Sequence, residues 1–98
     1  MFIPNEKALF KAFEFSIYGT RGGPVRLRIL AMLAKRGMNT NQISTRLGID
    51  YKTAQHHMRV LEKSGFVTRK SSGNENVYSL SELVRSSGRI MRVVAGKK

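Results

Sequence analysis

Lys52, Gln55, His56 and Arg59 stand at i, i+3, i+4 and i+7, the spacing of side chains that share one face of an α-helix. All four carry nitrogen donors, and no acid interrupts them. Lysine and arginine meet phosphate oxygens, and Gln and Arg also match the edges of bases in a duplex major groove. Tyr51 and Thr53 at the start of the same stretch, and Asn41 ten residues earlier, add hydroxyl and amide groups. A second set, Arg69, Lys70, Ser72 and Asn74, supplies donors suited to phosphate or minor-groove contact. This is chemistry for holding and reading a nucleic acid.

Other chemistries find little support. The chain has no Cys, which removes disulfides, thiolate metal sites and cysteine nucleophiles together. Its six acids are scattered, and no Ser/His/Asp grouping is evident. The glycines from Gly19 to Gly23 lack the spacing of a P-loop or a dinucleotide fingerprint. His56 and His57 are neighbours, and neighbours on a helix point ~100° apart, so they cannot chelate one ion together. His57 reads as structural and His56 as a DNA contact. The expectation is a protein that is not an enzyme and has neither metal nor cofactor.

The donor set needs a scaffold, and Met38–Val67 supplies one. Ala54, His57, Met58 and Leu61 give a second helix its inward face, opposite Lys52, Gln55, His56, Arg59 and Lys63. Asp50 is placed to cap it and Ile49 to staple onto Ala54. Gly65 ends it, with Phe66 reaching back to Leu61. A first helix runs from Thr40 or Asn41 to Leu47, with Ile43 and Leu47 inward and Gly48 as its stop. Two helices joined this way form a helix-turn-helix. The bland alternative is an αα-hairpin in a helical core. The residues after Gly65 argue against it: Phe66–Lys70 and Asn76–Leu80 read as strands with turn residues between, a wing beside the second helix.

From Gly23 to Leu80 the sequence resembles the ArsR-type winged helix-turn-helix regulators, small prokaryotic repressors. Pro24, Arg26, Leu27, Ile29, Leu30 and Leu33 carry the likeness in one helix, followed by Ile43, Leu47 and Gly48. His57-Met58, Leu61, Gly65, Phe66-Val67 and Tyr78-Ser79-Leu80 complete it. The family usually has His-Leu where this chain has His57-Met58. The resemblance implies a homodimer that binds double-stranded DNA and represses transcription. Many ArsR-type proteins also sense metals through Cys, or through His and Asp on a terminal helix. This chain lacks those residues, so that property does not carry over, and any effector is unknown.

The 98 residues carry 18 Lys and Arg against six acids, a net charge of +12. Self-repulsion at that density favours a polyanionic partner, nucleic acid first. A membrane surface is a weaker fit, because the cations are spread and no apolar anchor adjoins them. A generally basic proteome would be the uninformative explanation. There is no run of ~20 apolar residues. The opening MFIPNEK lacks the basic and apolar regions of a signal peptide. A cytoplasmic, nucleoid-associated protein is expected.

One domain is expected over 1–98, mainly α with a small β-hairpin, a winged helix-turn-helix with extra N- and C-terminal helices. An N-terminal helix (5–18) carries Leu9, Phe10, Ala12, Phe13, Ile17 and Tyr18, an apolar band wide enough for two partner surfaces. A flexible joint then leads to a core helix (24–36), capped by Gly23 and stopped by Gly37, with Arg26 and Arg28 solvated. The helix-turn-helix (40–64) and wing (66–80) come next. A single C-terminal helix (81–95) starts at Ser79 or Ser81, and Ser79 with Glu82 fits a capping box. Its Leu83–Ile90 and Val84–Met91 steps suggest a helix–helix seam. Gly96-Lys97-Lys98 is expected to fray. Leu9, Phe10, Phe13, Ile17, Leu83, Ser87, Ile90 and Val94 are accordingly the expected dimer interface. Two other functions compete: an architectural duplex-DNA binder with little sequence preference, and an interaction or RNA-binding module. The second is weakened by the lack of aromatics for base stacking other than Tyr51.

Overall fold

The computed structural model describes residues 5–96. The opening four residues and Lys97-Lys98, and with them part of the expected fraying, lie outside the described residues. Six helices and one hairpin succeed one another: α1 (Glu6–Tyr18), α2 (Gly23–Leu33), α3 (Thr40–Leu47), α4 (Tyr51–Lys63), β1 (Val67–Ser72), β2 (Glu75–Leu80), α5 (Glu82–Arg85) and α6 (Gly88–Val94). One core collects a stripe from each. Leu9, Phe13 and Ile17 of α1 meet Ile29, Leu30 and Leu33 of α2, Ile43 of α3, and Ala54, Met58 and Leu61 of α4. Phe66, Val67, Tyr78 and Leu80 enter from the wing, and Val84, Ile90 and Val94 from the last two helices. Phe13 and Phe66 meet edge to face at 6.0 Å between ring centres, the geometry that aromatic quadrupoles prefer.

The turns obey local rules. Asn39 caps α3: its Oδ1 accepts from the Gln42 amide at 2.7 Å, while its own amide donates to Gln42 Oε1 at 2.9 Å. This is a full capping box written as Asn-x-x-Gln, a cap beyond those expected from the sequence. Gly48 ends α3 at φ +69°. Gly65, at φ +83°, ends α4; the Phe66 amide donates to the Leu61 carbonyl and the Gly65 amide to that of Glu62, both at 3.0 Å. That pair of bonds is a Schellman motif. Asp50 flanks α4 as expected but makes no side-chain bond to a backbone amide. It accepts instead from the Thr53 hydroxyl, the chief reason its carboxyl lies below the usual range.

The wing starts one residue later than the sequence suggests, at Val67, and its turn is tighter. Its antiparallel register runs from Val67↔Leu80 to Ser72↔Glu75, so Ser71, Ser72 and Glu75 belong to strands and only Gly73-Asn74 turns. Gly73 has φ +64° and Asn74 a negative φ, the pattern of a two-residue type II′ loop. Met38 adds a bridge to Tyr78, its amide donating at 3.0 Å and its carbonyl accepting at 2.8 Å.

Four expectations need correction. First, α2 ends at Leu33 rather than Arg36, and its cap is Gly22 rather than Gly23. Gly37 is not a left-handed stop. Its small size lets the chain pass the wing, where a Cβ would come within 2.9 Å of Val77 Cγ1. Second, the joint between α1 and α2 is packed rather than flexible: Gly23 is buried against the α1 backbone. Third, the expected C-terminal helix is two. Ser79 lies in β2, Ser81 caps α5 and Ser87 caps α6. Ser86, Ser87 and Gly88 are three poor helix formers in succession, and they break the supposed heptad seam. Fourth, most of the expected interface residues serve the chain's own core. Leu9, Phe13, Ile17, Ile90 and Val94 are buried in it. Ser87 is buried as well, donating to Glu6 Oε2 at 2.7 Å and accepting from the Ile90 amide at 3.2 Å. Phe10 and Leu83 remain half-buried, and Arg89 stacks on Phe10 at 4.2 Å. The apolar surface left on α1 is Phe15 and Tyr18, 69% and 65% exposed.

Candidate nucleic-acid interface

Helix α4 buries Ala54, His57, Met58 and Leu61, the stripe expected from the 3.6-residue period. Burial of that stripe fixes where the other side chains point. Lys52, Thr53, His56 and Arg59 are exposed and Gln55 is half-buried. A second stripe, Tyr51, Gln55, Arg59 and Glu62, turns toward the wing. Between it, the start of α3 and the hairpin lies an open hollow of about 370 Å³. Asn41, Tyr51, Gln55, Arg59, Arg69 and Asn74, all expected contacts, come together on its lining.

Lys52, Thr53 and His56 stand outside this hollow, on the far flank of α4, and Thr53 is engaged with Asp50. The wing's two cations also part company. Side chains alternate along a strand, so Arg69, paired with Tyr78, faces α4, while Lys70, paired with Val77, faces away. Arg69 Nε lies 3.3 Å from Glu62 Oε2. Lys70 and Ser72 are exposed on the strand. Asn39, Glu62, Glu75 and Asn76 also belong to this face, and none of them is among the contacts expected from sequence. For Glu62 a signal exists: it continues the Tyr51, Gln55, Arg59 stripe.

Behind the face, the largest departure from expectation is Arg26. It is not solvated but only 5% exposed. Its Nη2 donates to the Ser16 carbonyl at 3.2 Å and to the Thr20 hydroxyl. Thr20 in turn donates to the Ser16 carbonyl at 2.9 Å. Arg26 Nη1 lies 3.2 Å from His57 Nδ1. A guanidinium can only donate, so Nδ1 must accept and the neutral ring carries its proton on Nε2. Burial first, then the charges of Arg26 and His56, hold His57 below its ordinary pKa. Burial also lowers that of Arg26. His57 is thus structural, as expected, and it ties α4 to the α1–α2 joint. Among the described residues no three His, Asp or Glu side chains converge as metal ligands would. No helix among them is long and apolar enough to cross a membrane.

Comparison with known proteins shows the family and the fold. Residues 23–70 match a helix-turn-helix domain family. The chain is 38% identical over 76 residues to an uncharacterised HTH-type transcriptional regulator of Methanocaldococcus jannaschii, spanning 74% of this chain and 76% of that one. The chain belongs to the helix-turn-helix transcriptional regulators. These are DNA-binding proteins and not enzymes. Its fold is that of the ArsR-like winged helix regulators. HlyU of Vibrio cholerae superposes with a TM-score of 0.72 at 20% identity, over 94% of this chain and 90% of that one. A homodimeric winged helix-turn-helix DNA-binding domain of Mycobacterium bovis, a possible ArsR-family regulator, does so with a TM-score of 0.64 at 21% identity, over 97% and 82%.

Proposed function

We propose that this regulator is a sequence-specific repressor. It sets α4 in the major groove of double-stranded DNA and the wing on the backbone or minor groove. The observation that carries this reading is the set of exposed Lys52, His56 and Arg59 beside half-buried Gln55 on α4, with Gln55 and Arg59 turned into the hollow. Lys52, Lys70 and Ser72 hold phosphates and set the register. Gln55, His56 and Arg59 read bases, with Asn41, Tyr51, Thr53 and Asn74 around them. Arg69 joins from the wing. A neutral hollow rich in amides favours base reading over an architectural role, which needs only charge.

Gln55→Ala, His56→Ala and Arg59→Ala together are expected to flatten base preference, at ~1–3 kcal/mol for each base-reading side chain removed. Lys52→Ala is expected to weaken binding to all sequences alike. Enrichment of bound duplexes from a random library, followed by titration at fixed salt, checks both. A triple variant with the parent's preference and affinity would remove α4 from the groove.

The working unit is a homodimer. A two-fold pair presents two reading helices about one DNA turn apart, and a small domain gains stability by covering apolar surface. The Mycobacterium bovis domain of the same fold is homodimeric. The surface that supports pairing here is Phe15 and Tyr18, exposed on α1. Substituting Phe13 or Ile90 would unfold the chain rather than split a dimer, since both are fully buried. Sedimentation of the parent is expected near twice the chain's 11.0 kDa. Phe15→Glu with Tyr18→Glu is expected to sediment as a folded monomer and to lose most operator affinity. A parent that is monomeric both free and on DNA would refute this arrangement. Repression then comes from occupancy: a dimer seated across neighbouring grooves excludes other proteins from that stretch of nucleoid DNA.

A further inference from the structure

The hollow between α4 and the wing differs electrically from the rest of the protein. The chain carries 18 cations against six acids. The hollow is lined by two of each: Arg59 and Arg69, Glu62 and Glu75. Two of the six acids therefore sit on the surface read as DNA-facing, where a carboxylate opposes phosphate. The Arg69–Glu62 contact is also the one ion pair among the described residues. Glu75 is occupied as well. Its Oε1 accepts from Asn39 Nδ2 at 2.6 Å, while Oδ1 of the same amide caps α3. The root of α3 thereby holds the end of the wing.

We propose that Glu62 is a specificity-determining residue that acts through Arg69. In the free protein it holds the wing's inward arginine in an ion pair. Arg69 reaches a DNA phosphate only by leaving Glu62. On a poorly fitting sequence the exchange gains little, because one charge partner replaces another at a half-exposed site. On a fitting sequence the base contacts of Gln55 and Arg59 bring the duplex into the hollow, and the exchange goes forward. Glu62 thus subtracts one phosphate contact from indiscriminate binding, which matters most in a chain this basic. The proposal rests on α4 and the wing facing DNA.

The test is a titration of the full chain against a labelled random-sequence duplex over a range of salt, with folding of each variant checked by circular dichroism. Glu62→Gln is expected to bind random duplex more tightly than the parent. The slope of log affinity against log salt should steepen by ~0.9, one phosphate contact, so that its advantage shrinks ~3-fold between about 50 and 200 mM salt. Glu62→Gln with Arg69→Ala is expected to return to the parent's slope, and Glu62→Asp to behave as the parent. Glu82→Gln, which removes the same charge at the start of α5, is expected to leave the slope unchanged. A library selection with Glu62→Gln is expected to give a flatter base preference. The proposal is overturned if Glu62→Gln keeps the parent's slope, if Glu82→Gln steepens it equally, or if the steepening survives removal of Arg69. Lys52→Ala separates the levels of failure. Should it lower the slope while Glu62→Gln does nothing, the proposal alone fails. Should Lys52→Ala also have no effect, the DNA-facing assignment of α4 fails and the proposal with it.

Discussion

Gly23→Ala is expected to unfold this protein at temperatures where the parent is stable. Gly23 opens α2 directly against the last turn of α1, and it is buried there. A Cβ on Gly23 would lie 1.6 Å from the Ile17 carbonyl oxygen and 2.5 Å from its carbon. Both are backbone atoms, so no rotamer change relieves the overlap. The two helices would have to separate by more than an ångström. That opens the Phe13 and Ile17 contacts and pulls Ser16 and Thr20 away from Arg26. Overpacking in cores costs about 1–3 kcal/mol where side chains can adjust, and a backbone clash belongs at or above the top of that range. For a domain of this size, ~3 kcal/mol lowers the midpoint by roughly 12–24 °C. Thermal unfolding monitored by circular dichroism checks this. Gly88→Ala is the control, since a Cβ there meets nothing within 4 Å; it is expected to leave the midpoint nearly unchanged or raise it slightly. Equal midpoints for Gly23→Ala and the parent would mean that α1 does not dock on α2 as described.

The same joint shows which parts of the molecule can be read from sequence and which cannot. Helix α4 is legible because all its determinants are local. Ala54, His57, Met58 and Leu61 recur at the helical period, and Gly48 and Gly65 stand where only a left-handed residue closes the turn. The wing is legible because strand-like residues flank turn formers, although the tightness of the Gly73-Asn74 loop depends on pairing across the strands. Arg26 is hard to place from sequence because its partners lie at Ser16, Thr20 and His57, none of them on its own helix. Charge suggests solvent; the period points the other way, since 26, 29, 30 and 33 form one stripe and the other three are core. In α1 the wide apolar band hides a narrow buried stripe of Leu9, Phe13, Ser16 and Ile17. Composition alone does not show that Phe15 and Tyr18 are left outside. At the C-terminus, the 3.5-residue steps suggest one helix, but Ser86-Ser87-Gly88 is the stronger local signal, and Ser87 becomes a cap.

Acid is expected to destabilise the fold through His57. His57 is 7% exposed, and its ring accepts from Arg26 through Nδ1. A proton on Nδ1 would turn that acceptor into a donor facing a donor and place two cations in contact. The charged groups near the ring are Arg26 on α2 and His56 on α4 itself. The joint and the end of α1 offer the Thr20 hydroxyl and the Ser16 carbonyl, but no acid. His57 is therefore held below its ordinary pKa in the folded state. The unfolded chain then binds more protons than the folded one below about pH 6.5, so stability rises with pH. The full contribution is present above that value and is lost as pH falls toward the folded pKa. The slope approaches ~1.4 kcal/mol per pH unit within the window. Urea unfolding at pH 7.5 and at points down to about pH 5 measures it, above the range where the carboxylates take up most of their protons. His56→Ala, which removes only the last of the three causes, is expected to keep most of the slope. His57→Gln, which retains an acceptor for Arg26 but does not titrate, is expected to flatten it. Arg26→Met is expected to reduce the slope, since it removes the neighbouring cation and brings His57 closer to its ordinary value. Because Arg26 links α4 to the joint that carries α1, a parent whose stability is level between pH 7.5 and 5 would show that His57 takes up its proton in place, and that the Arg26–His57 contact is not what holds α4 to the rest of the fold.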